Sequence, residues 1–176
     1  MMKPRMIPVM ITAAITAVVL FGGWAIYNQV AVAAPLEQVM NDIPGVVASE
    51  KPVMNREQVS IQLELAADAD LKDVYQSIAS NGKAVFGDRK LVLSFKNDKS
   101  KQIDELWNNS LFEVAEAMET STYSNIPDAM NEAAKSLKDV TVTTALDETN
   151  VYITIKDTEA VKYVVLPRKS TQLEAW

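Results

Sequence analysis

Histidine and cysteine are both absent from the 176 residues, and this narrows the chemistry more than any residue present. No histidine-assisted serine or cysteine nucleophile can be assembled. No zinc site of the imidazole or thiolate kind can be assembled either. What remains for bond-breaking work is serine beside lysine, and carboxylates in pairs. Ser80-Asn81-Gly82-Lys83 has the S-x-x-K spacing by which a lysine serves a serine nucleophile. That chemistry needs the serine at the start of a helix with the lysine one turn on, whereas Gly82 breaks the turn here. No S-D-N or K-T-G partner accompanies it, since Lys169-Ser170-Thr171 lacks the glycine. The four residues read as the end of a helix.

Carboxylates fare similarly. Asp68, Asp70 and Asp73 could offer oxygen ligands to calcium, but the glycine and the closing glutamate of a calcium loop are missing from their spacing. Capping a helix at Asp70 and opposing its dipole from Asp73 accounts for two of the three. Asp104, Glu105, Glu113, Glu116 and Glu119 fall along one predicted helix. Paired carboxylates cleave glycosides when they flank a cleft, but on a helix surface they ordinarily face water. Asn108-Asn109-Ser110 is a glycosylation sequon by spelling and sits inside that same helix. The sequence therefore assigns no catalytic residue, no metal ligand and no cofactor.

The elements that would hold such residues begin with an uncharged stretch. Between Met6 and Leu36 there is no charged side chain. Its heart, residues 7–27, would rise about 30 Å as a helix, the thickness of a bilayer's hydrocarbon. Lys3 and Arg5 precede it, and Glu37, Asp42 and Glu50 follow. That asymmetry places residues 1–6 in the cytoplasm and the remainder outside, with Trp24 and Tyr27 suited to the far interface. The alternative is a signal peptide cleaved after Ala31-Val32-Ala33, releasing a secreted protein. The long apolar run and the crowding by Pro35 favour a retained anchor. Ala13 and Ala17 have the small-residue spacing of close helix packing, a weak pattern that ordinary composition explains.

Beyond the anchor, 15 of the 17 basic residues stand against all 23 acidic ones, a net −8. An acidic domain is a poor match for nucleic acid or for anionic lipid surfaces. Residues 28–57 read as a juxtamembrane connector divided by Pro35, Pro44 and Pro52. Within it, Leu36, Val39, Met40 and Ile43 recur at helical spacing. Together with the aromatic Trp176 of the tail, they are the candidate partner-binding residues. Packing on the domain and fraying of the tail are the ordinary readings for these two sites.

Residues 58–167 carry the domain. Val59, Ile61, Leu63 and Leu65 alternate with polar residues as in a half-buried strand. A helix capped by Asp70 follows and ends at Asn81-Gly82. Residues 84–87 and 90–95 read as a hairpin through Gly87-Asp88-Arg89. The spacing then predicts a helix over 100–119 with Ile103, Leu106, Trp107, Leu111, Val114 and Met118 inward. A second helix opens at Pro127. Residues 140–146 and 151–155 alternate again about a turn at Asp147-Glu148-Thr149-Asn150, and residues 162–166 add an edge strand that Pro167 ends. Residues 168–176 read as a tail.

This order matches an α+β, ferredoxin-like (split β-α-β) antiparallel sheet with helices on one face. Its polar face, carrying Ser60, Gln62, Glu64, Thr141 and Thr143, would meet solvent or another protein. The function expected is a single-pass, membrane-anchored extracytoplasmic interaction or assembly domain of a bacterial envelope, non-enzymatic, with a protein partner and homo-oligomers open to it. A carboxylate-based hydrolase and an extracytoplasmic ligand-binding sensor are the alternatives. The first requires two acids converging in a cleft, the second an enclosed pocket.

Overall fold

The computed structural model describes residues 6–28, 34–55 and 57–168. In chain order the elements are α1 (Met6–Asn28), α2 (Ala34–Asn41), β1 (Val46–Ser49), β2 (Val53–Met54), β3 (Gln58–Leu65), α3 (Leu71–Asn81), α4 (Lys83–Phe86), β4 (Lys90–Phe95), α5 (Lys101–Glu119), α6 (Asn125–Ala134), β5 (Thr141–Leu146), β6 (Asn150–Lys156) and β7 (Val161–Pro167). Among the described residues no helix is long and apolar enough to cross a membrane. Side-chain surroundings in α1 are described for residues 10–23, a rise of about 20 Å.

The strands form two sheets. The first is built around β3, whose alternation puts Val59, Ile61, Leu63 and Leu65 into the core. On one side β3 pairs antiparallel with β1 and, further along, with β2. On the other side it pairs with β4 in parallel, Ile61 opposite Leu93. A parallel pair needs a long crossover, and α3 with α4 supplies it. Asp70 Oδ1 accepts from the Asp73 amide at 3.0 Å, starting α3 as its sequence predicts. Leu71, Val74 and Ile78 then face the sheet, joined by Leu36, Met40 and Ile43 and by Phe86 of α4. Gly45, at φ +90°, brings the chain from α2 into β1, where a Cβ would sit 2.9 Å from that of Ala69.

The second sheet is the antiparallel meander β5-β6-β7. Its centre, β6, is buried on both faces. Val151, Ile153 and Ile155 pack under α5 and α6. Tyr152 points the other way, towards α3, where Tyr75 meets it edge-on with centroids 5.5 Å apart. Ser100 caps α5, accepting from the Ile103 amide at 3.4 Å. Its hydroxyl also bonds Asp157, which tethers the helix to the β6–β7 turn. The two sheets meet where β4 ends. Asn97 Oδ1 accepts from the Tyr163 amide at 2.8 Å, the Tyr163 hydroxyl donates to the Ala66 carbonyl at 2.8 Å, and the rings of Phe95 and Tyr163 lie 5.9 Å apart.

The mixed α+β class and the antiparallel sheets with helices agree with the sequence pattern. The ferredoxin-like plan does not hold. It needs one antiparallel sheet, whereas β3 and β4 are parallel and β5–β7 form a sheet of their own. The misread segment is 84–87, a helical turn that buries Phe86 rather than a hairpin strand. Four residues are too few to separate the two periods. The connector 28–57 contributes α2, β1 and β2, so the folded unit begins ahead of Gln58. On α5 the buried stripe is Ile103, Leu106, Ser110, Val114 and Ala117. Trp107 is half-buried and Leu111 exposed, because Ser110 satisfies its hydroxyl on the Leu106 carbonyl at 3.0 Å and takes the inward position.

Candidate functional site

The register of β5 on β6 sets Thr141 opposite Lys156, Thr143 opposite Thr154 and Ala145 opposite Tyr152. With side chains alternating at period two, these six share the face turned away from α5 and α6. Residues 67–72, the lead into α3 and its first turn, stand over that face and leave a cavity of about 250 Å³. Short side chains at Ala67, Ala69 and Ala145 keep it open. Lys156 Nζ donates to the Ala67 carbonyl at 3.1 Å and ties the loop to the sheet. The Asp70 carboxylate at the mouth is occupied in capping α3. The walls thus offer threonine hydroxyls, each a donor and an acceptor, over an apolar floor. That is equipment for holding a polar molecule by hydrogen bonds, and Asp68, Lys72 and Lys156 add charged groups to the lining.

Below this groove lies the densest polar cluster described. The Asp147 carboxylate accepts from the Tyr152 hydroxyl at 2.7 Å, Gln76 Nε2 at 3.0 Å, and the Thr149 and Asn150 amides at 2.8 Å each. Burial pushes its pKa up, but these four donors outweigh burial and hold it well below the carboxylate range. Burial raises the Tyr152 phenol, and its bond to Asp147 adds to the rise. Arg168 donates to the Asp147 carbonyl, and its guanidinium lies 4.5 Å from the centre of the Tyr123 ring. Asp157 repeats the arrangement at the other end of β6. The Ser100 hydroxyl and the Glu159 and Ala160 amides lower its pKa. The two carboxylates are separated by the length of β6, about 20 Å at strand rise. Both are held ionised as turn caps, the reverse of what a general acid needs.

The residues singled out from sequence scatter over the molecule. Leu36 and Met40 are 0% exposed, Ile43 is 4% exposed and Val39 packs beside them, all in the core against α3. The chain's own core covers the apolar face they form, which is the ordinary packing reading of their helical spacing. Trp176 lies outside the described residues. Ser80 ends α3 with its hydroxyl given to the Gln76 carbonyl at 2.8 Å, and Lys83 opens α4. Glu113 and Glu116 of α5 meet Asp128 and Glu132 of α6 along an open groove of about 460 Å³, a meeting no single-helix pattern could reveal. Among the described residues no three acids are placed to hold a metal ion.

The threonine groove had a partial signal in the alternation at Thr141 and Thr143. Its other wall did not, since residues 67–72 precede the sheet by some 70 positions in sequence. Comparison with protein-family models, curated proteins and solved structures finds no match.

Proposed function

We propose that the chain is a bitopic membrane protein whose α1 lies in lipid and whose acidic domain works outside the membrane as a binding or assembly module. The observation that carries this reading is the surface of α1. Met10, Ile11, Ile15, Val18, Val19, Leu20 and Phe21 are 54–76% exposed, distributed around the whole helix, and no described residue of the chain covers them. An uncharged helix apolar on every side needs a nonaqueous surrounding. The Thr16 hydroxyl is satisfied within the helix, donating to the Thr12 carbonyl at 2.8 Å. The apolar sequence continues beyond the described side chains to Ile7 and Ile26.

For the partner, the outer face of the first sheet is the surface that fits. Ser60, Gln62 and Ser94 lie on it with Val53 and Val92, and α2, α3 and α4 all pack on the opposite face. Among the described residues β4 pairs only with β3, so its other edge adjoins this face and offers backbone groups for strand addition. Crosslinking in native membranes tests this reading. A crosslinker placed at Gln62 or Ser94 should capture one protein in fixed stoichiometry, and capture of nothing would count against it. A second reading, a ligand-binding sensor, draws on the threonine groove. It calls for a small polar ligand that protects residues 67–72 from exchange, and Thr143→Val with Thr154→Val would abolish that protection.

A further inference from the structure

An apolar groove runs along the outer flank of α5. Trp107, Leu111, Val114 and Met118 form one wall, and Leu166 and Pro167 of β7 form the other, around about 310 Å³. Beside it Phe112 is 82% exposed and Leu111 41%. Leu111 is left off the buried stripe where Ser110 turns inward, and with Trp107 and Met118 it gives the helix a second apolar face that nothing described covers.

We propose that residues 169–176 of this same chain occupy the groove, with Leu173 and Trp176 seated against Trp107, Leu111 and Met118. Three observations select this occupant. The first is where the chain leaves the fold, since Pro167 itself lines the groove and Arg168 is pinned to the Thr149 carbonyl at 2.8 Å and to Tyr123. The second is reach. The Lys162–Asp104 ion pair at 2.7 Å fixes β7 alongside α5 with both starting at the same end. The chain therefore emerges near Met118 and has about 16 Å of helix to cover back to Trp107, against up to about 26 Å for eight extended residues. The third is pattern. Leu173 and Trp176 are the two large apolar residues of the segment, three apart in sequence, with the polar Gln172 and Glu174 flanking Leu173. A tether this short gives the segment a millimolar local concentration, which a second copy or a separate partner would have to exceed.

The absence of cysteine allows a clean test on the full chain in native membranes. Leu111→Cys paired with Ala175→Cys should form an intrachain disulfide under mild oxidation, at least five-fold above Ser94→Cys paired with Ala175→Cys. Adding Leu173→Ala and Trp176→Ala should return it to the control level. In the cysteine-free chain, the same two alanine substitutions should speed amide exchange several-fold across residues 107–118. A disulfide formed between chains would assign the groove to a neighbour's segment and overturn the proposal. Equal crosslinking of both pairs, or exchange unchanged by the alanines, would also overturn it.

Discussion

Asp147 concentrates more structure than any other side chain described. Its carboxylate joins the β5–β6 turn, Tyr152 of the sheet and Gln76 of α3. Asp147→Asn leaves the volume and removes the charge, and it should lower stability at pH 7 by about 1.5–3 kcal/mol, the scale of hydrogen bonds to a charged group. Urea unfolding of the full chain in a mild detergent would measure this. The pKa is lower in the folded state, so the contribution is complete above about pH 4, the unfolded value. It fades as the pH falls through and below that point. The gap between wild type and Asp147→Asn should therefore narrow at pH 3, and a gap that widened on acidification would contradict the assignment. Ser100→Ala removes both a helix cap and the bond to Asp157, with an expected loss of about 1 kcal/mol by the same measurement.

At the scale of elements, α2 provides the sharpest contrast between alternatives. With Met40 fully buried, Met40→Ala should cost about 2–5 kcal/mol. An exposed partner-binding face would cost almost nothing in the isolated protein, so a change below about 0.5 kcal/mol in the unfolding free energy would favour the partner reading. Gly82 is tested the same way. Its Cβ would stand 2.8 Å from both the Ile78 carbonyl and the Phe86 ring, so Gly82→Ala should destabilise the junction of α3 and α4. Elements with a long periodic run are legible from the sequence. The stretches that became β3, α3, α5, β5, β6 and β7 were read within a few residues of where they lie, as were the Asp70 cap and the Asp147 turn. What escaped was short or relational. Residues 84–87 hold too few positions to show a period. Two-residue β2 exists only through its pairing with β3. The choice between a parallel and an antiparallel β4 depends on a crossover whose packing is not encoded in either strand. The threonine groove was half legible, because alternation marks one wall and only tertiary contact brings the other.

Seen as a whole, the molecule joins two cores along a shared seam. Tyr152, Val161 and Tyr163 of the second sheet enter the core of the first, and Asn97 and Ala66 bond to Tyr163. Unfolding of the described domain should therefore be one cooperative event, with far-UV dichroism and near-UV aromatic dichroism giving coincident urea midpoints. Two separated midpoints would divide it at the Tyr163 junction. The proposal that governs everything functional is the lipid seat of α1, whose apolar side chains no described part of the domain covers. Alkaline carbonate extraction of membranes containing the full chain is the most direct test. The account predicts that the protein stays in the pellet and that Ile15→Arg together with Val18→Arg moves it to the supernatant. Release of the unaltered, full-length chain into the supernatant would contradict it.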